Sequence, residues 1–183
     1  HTITLTVTDT DGATDVDTFV VKVNDPPVAD AGPDQVVTDA DLTGAENVTF
    51  DGSGSADSDG TVVSYDWSEG GSALATGVGP TVSLAVGTHT ITLTVTDEDG
   101  ATDTDTFVVK VNDPPVSDAG PDQVVSDADL SGNENVTLDG SGSTDSDGTI
   151  VDHEWTLGGS FLASGVAPVV VLDVGTHVLT LTV

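Results

Sequence analysis

The chain has 183 residues, of which 32 are Asp or Glu and 2 are Lys, giving a formal net charge of −30. Binding to nucleic-acid phosphates needs clustered cations, so that class of partner is excluded. With no Cys and no Met, a disulfide framework, a thiolate metal site and thiol chemistry are excluded as well.

The 30 Val and 28 Thr alternate along much of the chain, which predicts folded β structure despite the charge. Shifted by 88 residues, the sequence falls on itself. HTITLTVTD starts at His1 and again at His89, GTH recurs at Gly87 and Gly175, and about three quarters of the compared positions are identical. A period of 88 exceeds that of a solenoid and suits a small independent β-sandwich. In chain order, residues 1–24 read as the C-terminal strands of one copy. NDPP, at Asn24 to Pro27 and at Asn112 to Pro115, marks the junctions, because paired prolines stiffen a linker and have no place in a central strand. One complete copy then spans 25–112, and residues 113–183 form a copy lacking its last strand.

Within the complete copy, strands are expected at Gln35 to Val37, Asn47 to Asp51, Thr61 to Trp67 and Thr81 to Val86, separated by turns rich in Gly, Ser, Asp and Pro. His89 to Thr96 is the clearest strand: Ile91, Leu93 and Val95 alternate with Thr90, Thr92 and Thr94, one buried face and one wet. Asp97 to Gly100 turns into Thr102 to Val111, with Phe107, Val109 and Val111 on one face. Trp67, and Trp155 in the next copy, anchor the core, and Val63 and Tyr65 share the parity of Trp67. His89 reads as a partly buried strand residue rather than a base. The expected fold class is all-β, as tandem immunoglobulin-like sandwiches.

Residues 1–7 match 177–183 at all but two positions, so both ends fall in the same strand. Two readings follow. The sequence is a window on a longer repetitive chain, or residues 8–24 of one molecule complete the unfinished copy of the next, a head-to-tail addition that builds open filaments.

DAGPDQVV, DGSGSADSDGTVVSYDW and VGTHTITLTVTDEDGATDTDTFVVKV, in this order, resemble the PKD (polycystic kidney disease) domain family in its bacterial and archaeal branch. The resemblance covers essentially the whole chain. It implies an immunoglobulin-like sandwich used as a tandem extracellular module in surface-layer proteins, adhesins and secreted hydrolases, acting as a spacer or binding unit without catalysis. One stretch departs from it: the family's Trp-Asp-Phe-Gly-Asp-Gly reads WSEGG at Trp67 and WTLGG at Trp155.

Asp supplies 27 of the 32 acids, and hard cations take oxygens from acids closely spaced on Gly turns. SADSDG, with Asp57 and Asp59, and TDEDG, with Asp97 and Asp99, are such turns. Calcium-binding members of the resembling family use the SxDxDG acids, the acid after the TVT strand and a polar residue at the domain start. Here those positions are Asp57, Asp59, Asp97 and Asn24 or Asp25. In the next copy they are Asp145, Asp147 and Asn112 or Asp113; the closing acid, equivalent to Asp97 and Asp9, lies past Val183. The competing reading of the same acids is an Asx turn holding its own loop. Ca2+ bound at the junction would stiffen the string of copies.

HExxH, GxSxG and phosphate-binding Gly loops are missing, and no enzyme is expected. Asn47-Val-Thr and Asn135-Val-Thr are candidate N-glycosylation sites. The expected function is an extracellular, calcium-stiffened repeat of a cell-surface filament, stalk or layer, with neighbouring copies of itself as partners. The alternative is an adhesin or a carbohydrate- or protein-binding spacer of a larger secreted protein or hydrolase, possible surface glycans among its ligands. For that alternative, Ser64 to Ala73, where the copies differ, is the candidate surface.

Overall fold

The computed structural model describes all 183 residues, and it is all-β: fourteen strands and no helix. The strands are β1 (Thr2–Thr8), β2 (Thr14–Val20), β3 (Gln35–Thr38), β4 (Ala45–Thr49), β5 (Val62–Glu69), β6 (Ser72–Thr76), β7 (Thr81–Ala85), β8 (Gly87–Asp97), β9 (Thr102–Asn112), β10 (Asn133–Thr137), β11 (Glu154–Leu157), β12 (Ser160–Ser164), β13 (Val169–Asp173) and β14 (Leu179–Thr182). Two compact units are distinguished, one of residues 1–34, 49–82 and 90–108, the other of residues 35–48, 83–89 and 109–183.

In the first unit β5 is flanked by β8 and β6, both antiparallel. The period-two pattern works as expected here: Ile91, Leu93 and Val95 of β8 are fully buried while the intervening Thr residues are not. The core is aromatic. Phe50, Trp67 and Phe107 meet with ring centroids 5.1 to 6.0 Å apart, tilted or edge-on, the arrangement that the ring quadrupoles favour. The buried Trp67 indole donates to the Gly77 carbonyl at 2.8 Å, so its one polar group is satisfied. Val63 does not share this burial. The ladder between β5 and β8 is irregular between Val62 and Ser64, which breaks the strand parity and leaves Val63 60% exposed. β1 and β2 pair from Thr2 with Val20 to Thr8 with Thr14, and every residue of this hairpin is exposed.

In the second unit β3 runs parallel to the end of β9, from Gln35 opposite Val109 to Thr38 opposite Asn112. β10 pairs with β13, and β11 lies between β12 and β14. Leu138, Trp155, Val170 and Leu181 form the core of this part, with Trp155 donating to the Gly165 carbonyl as Trp67 does to Gly77. The two sequence copies differ at the element that corresponds to β3. Residues 123–126, QVVS, correspond to β3 yet form no strand, and Val124 is 99% exposed. β3 is a strand because β9 pairs with it; QVVS has no such partner, and local propensity alone does not hold four residues extended.

Candidate cation site at the repeat junction

β8 ends on Asp97, which is 1% exposed. Its Oδ1 accepts the backbone N–H groups of Asp99 at 2.9 Å and Ala101 at 2.8 Å, an Asx turn that carries the chain from β8 to β9. Its Oδ2 accepts the Asn24 side-chain amide at 2.6 Å. That amide bond is the largest influence on the Asp97 carboxyl, which lies below the usual carboxylate range; burial opposes the shift and the N–H groups of Ala101, Asp99 and Gly100 reinforce it. A carboxylate that accepts several donors is stabilised in its ionised form.

The linker is tied to the next loop as well. Asn24 Nδ2 also donates to the Asp25 carbonyl at 3.0 Å, the Asp25 N–H donates to Asp59 Oδ1 at 3.1 Å, and the Ser58 hydroxyl donates to Asp25 Oδ2 at 2.9 Å. The Asp59 N–H in turn reaches Asp57 Oδ1 at 3.2 Å. Of the expected residues, Asn24 is thus joined to Asp97, and Asp25 to Asp59, whose own N–H reaches Asp57. The Asp99 N–H belongs to the Asp97 turn, while its carboxylate pairs with Lys22.

Two oxygens in this group, Asn24 Oδ1 and Asp57 Oδ2, are buried without a hydrogen-bond partner. Such atoms carry a desolvation cost, and they are what a hard cation would use. Asp39 shows the contrast: it is fully buried, but its oxygens accept the N–H groups of Thr43 at 3.2 Å and Gly44 at 2.6 Å, so it is a loop staple. Taken as acids and imidazoles alone, no three groups converge closely enough to hold a metal ion. The available oxygens are mixed: carboxylate, side-chain amide and the Asp25 carbonyl.

The second junction repeats the linker hydrogen bonds but has one orphaned oxygen in place of two. Asn112 Nδ2 donates to the Asp113 carbonyl at 3.0 Å, the Asp113 N–H to Asp147 Oδ1 at 3.1 Å, and the Ser146 hydroxyl to Asp113 Oδ2. Asp145 Oδ1 accepts the N–H groups of Asp147 and Gly148, and Asp147 Oδ2 is the buried, unpartnered atom. Asp9 makes the same Asx turn as Asp97, to Asp11 at 3.0 Å and Ala13 at 2.8 Å, and no other expected site residue contacts it. The two sequon residues, Asn47 on β4 and Asn135 on β10, are exposed.

Glu98 was not among the expected residues. Its Oε2 accepts the Thr61 N–H at 2.5 Å and the Thr61 hydroxyl at 3.0 Å, and the first of these bonds leads the causes that hold the carboxyl below its usual range. A Cβ placed on Gly60 would lie 2.5 Å from Glu98 Oε1 and 2.7 Å from Asp57 Oδ2, so glycine is what lets these two carboxylates approach. A sequence signal for Glu98 existed: TDEDG at 96–100 departs from TDTDG at 8–12 only there.

No helix is long and apolar enough to cross a membrane. Residues 24–111 match the PKD domain family. The whole chain aligns at 39% identity with the mouse dyslexia-associated protein KIAA0319-like protein and at 36% with human dyslexia-associated protein KIAA0319, spanning 19% and 18% of their lengths. The pre-pro-metalloprotease PrtV of Vibrio cholerae is 42% identical over 56% of the chain and 11% of its own length. The chain therefore spans about a fifth or less of these relatives. Among solved structures, the PKD1 domain of Vibrio anguillarum Epp is 31% identical, with a TM-score of 0.39 over 50% of this chain and all of that one. Residues 24–111 of the chain belong to the PKD domain family.

Proposed function

We propose that the chain is an extracellular structural segment, a run of PKD modules divided as 1–24, 25–112 and 113–183, whose NDPP junctions take up Ca2+ and stiffen in a surface stalk, filament or layer. It acts without catalysis, with further copies of itself as partners. The observation that carries this reading is two buried, unpartnered oxygens: Asn24 Oδ1, on the residue whose amide donates to Asp97, and Asp57 Oδ2, in the loop whose Asp59 accepts the Asp25 N–H. Rotating the Asn24 amide would turn its oxygen toward Asp97 Oδ2 and the Asp25 carbonyl, giving three acceptors of the kind that a hard cation takes together. Asn24, Asp25, Asp57, Asp59 and Asp97 would hold the ion, with Glu98 beside them, and at the second junction Asn112, Asp113, Asp145 and Asp147.

The test is the melting temperature of the full chain in chelator and in millimolar CaCl2 at matched ionic strength. Binding to the native state alone raises stability with ligand concentration. An upward shift that Asp57→Asn or Asp97→Asn abolishes supports the reading, and identical melting in both buffers refutes it.

The runner-up is an adhesin or a carbohydrate- or protein-binding spacer. Residues 64–73, on β5, β6 and their turn, favour it, because SYDWSEGGSA and DHEWTLGGSF differ while the flanking sequence is conserved between the copies. Binding of the chain to a glycan array, lost on exchanging these ten residues between copies, would support it.

A further inference from the structure

The sequence contains only two Lys and no Arg, and the two lysines lie 88 residues apart, at the same place in the repeat, two residues before the Asn of NDPP. Each turns its ammonium group onto acids of the copy that follows. Lys22 pairs with Asp99, and its Nζ lies 3.8 Å from Glu98 Oε1. Lys110 Nζ lies 3.9 Å from Asp147 Oδ2. That oxygen is the buried atom without a hydrogen-bond partner, and the Asp147 side chain is 13% exposed, so the ammonium is its nearest compensation. A chain that carries 32 acids has kept its two cations for these two places.

We infer that Lys22 and Lys110 are resident counter-cations of the junctions, Lys110 on an acid that would take a divalent cation and Lys22 on the acids next to such a group, each lowering the affinity of its junction for the ion. The inference rests on the calcium reading above. A bound ion and an ammonium a few ångströms apart repel each other, and an acid paired to lysine offers a weaker field to the ion. Each pair is exposed on the lysine side, which keeps the effect moderate and sensitive to salt. The geometry has a second consequence. The lysine belongs to the last strand of one copy, or its continuation, and the acids to the loops of the next, so uptake of the ion replaces one tie between copies by another.

The experiment is a calorimetric titration of CaCl2 into the full chain, stripped with chelator and held at low ionic strength, for the wild type, Lys22→Gln, Lys110→Gln and Lys22→Arg. Glutamine keeps length and hydrogen bonding without charge. The expected result is one site tightened about fivefold in each glutamine variant, as the loss of one nearby charge predicts, with Lys22→Arg close to wild type. Unchanged or weaker binding in the glutamine variants overturns the inference and leaves the calcium reading standing. No binding by any chain overturns the calcium reading and the inference together. Amide exchange in the metal-free chain separates the lysine pairing from the metal. The Thr61 N–H, bonded to Glu98, is expected to exchange faster in Lys22→Gln, and an unchanged rate refutes the pairing.

Discussion

Asp105 Oδ2 accepts the backbone N–H of the buried Ala31 at 2.9 Å. Two residues earlier on β9, Asp103 does the same for Ala29 at 2.9 Å, and Asp34 returns the favour to the Val108 N–H at 2.7 Å. The alternating acids of TDTDT thus act as strand carbonyls for a segment that has no ladder of its own. Asp105→Ala leaves a buried N–H without an acceptor and is expected to cost about 1–3 kcal/mol. Asp105→Asn keeps an acceptor and should cost clearly less. Chemical denaturation of both variants checks this, and equal losses would show that the carboxylate is a bystander.

Phe107 is edge-on to both Phe50 and Trp67, with centroids 5.3 and 6.0 Å away. Phe107→Ala opens a cavity in a core with few large side chains and is expected to destabilise this part of the chain by about 3–5 kcal/mol. The loss should appear as an earlier unfolding transition accompanied by a red shift of Trp67 emission. If the early transition came from Trp155, followed through Trp67→Phe, the aromatic trio would not be the main support of this core.

Most of this architecture was legible because it is written locally. The alternation of Ile91, Leu93 and Val95 with threonine fixes the faces of β8, and Asp97 beside Gly100 fixes its turn. Burial of Trp67 followed from its being one of few aromatics. What local pattern could not reveal was pairing. Residues 35–38 and 123–126 are nearly the same sequence, yet only the former has β9 alongside it and forms a strand. Val63 escaped for a similar reason, since an irregularity in the β5–β8 ladder breaks the parity that assigned it to the core. At the junction, the acids that meet were readable from spacing and family resemblance. The roles of Glu98 and the two lysines depend on contacts 37 or more residues away in the chain, and spacing is silent there.

The hydrogen bonds to Asp97 make a prediction about pH. Its carboxyl lies below the ordinary range in the folded chain, chiefly because the Asn24 amide donates to it. The native state therefore binds fewer protons than the unfolded state between the folded pKa and about 4, and the contribution is complete above the unfolded value. It is lost as pH falls through the folded value. The stability difference between wild type and Asp97→Asn should be largest from pH 5 to 7 and shrink steadily in stronger acid. Denaturation curves over that range provide the check, and a difference independent of pH would mean that Asp97 contributes only by packing.

On the proposed calcium reading, Gly60 would separate the stability of the loop from its ability to bind. Gly60→Ala places a methyl group 2.5 Å from Glu98 Oε1 and 2.7 Å from Asp57 Oδ2. Glu98 can swing its far end aside, whereas Asp57 is short and must move with its backbone. The fold should therefore lose no more than about 1 kcal/mol, as befits a surface change, while the calcium-dependent rise in melting temperature assigned to this junction disappears. Gly148→Ala is the matched change at the second junction, where the methyl group would meet Asp145 Oδ2 at 2.6 Å, so each variant should silence one site and leave the other intact. Calorimetric stoichiometry reads this directly: one ion fewer per chain in either single variant and none in the double. A Gly60→Ala chain that keeps its full complement of calcium would place the ion elsewhere than beside Asp57.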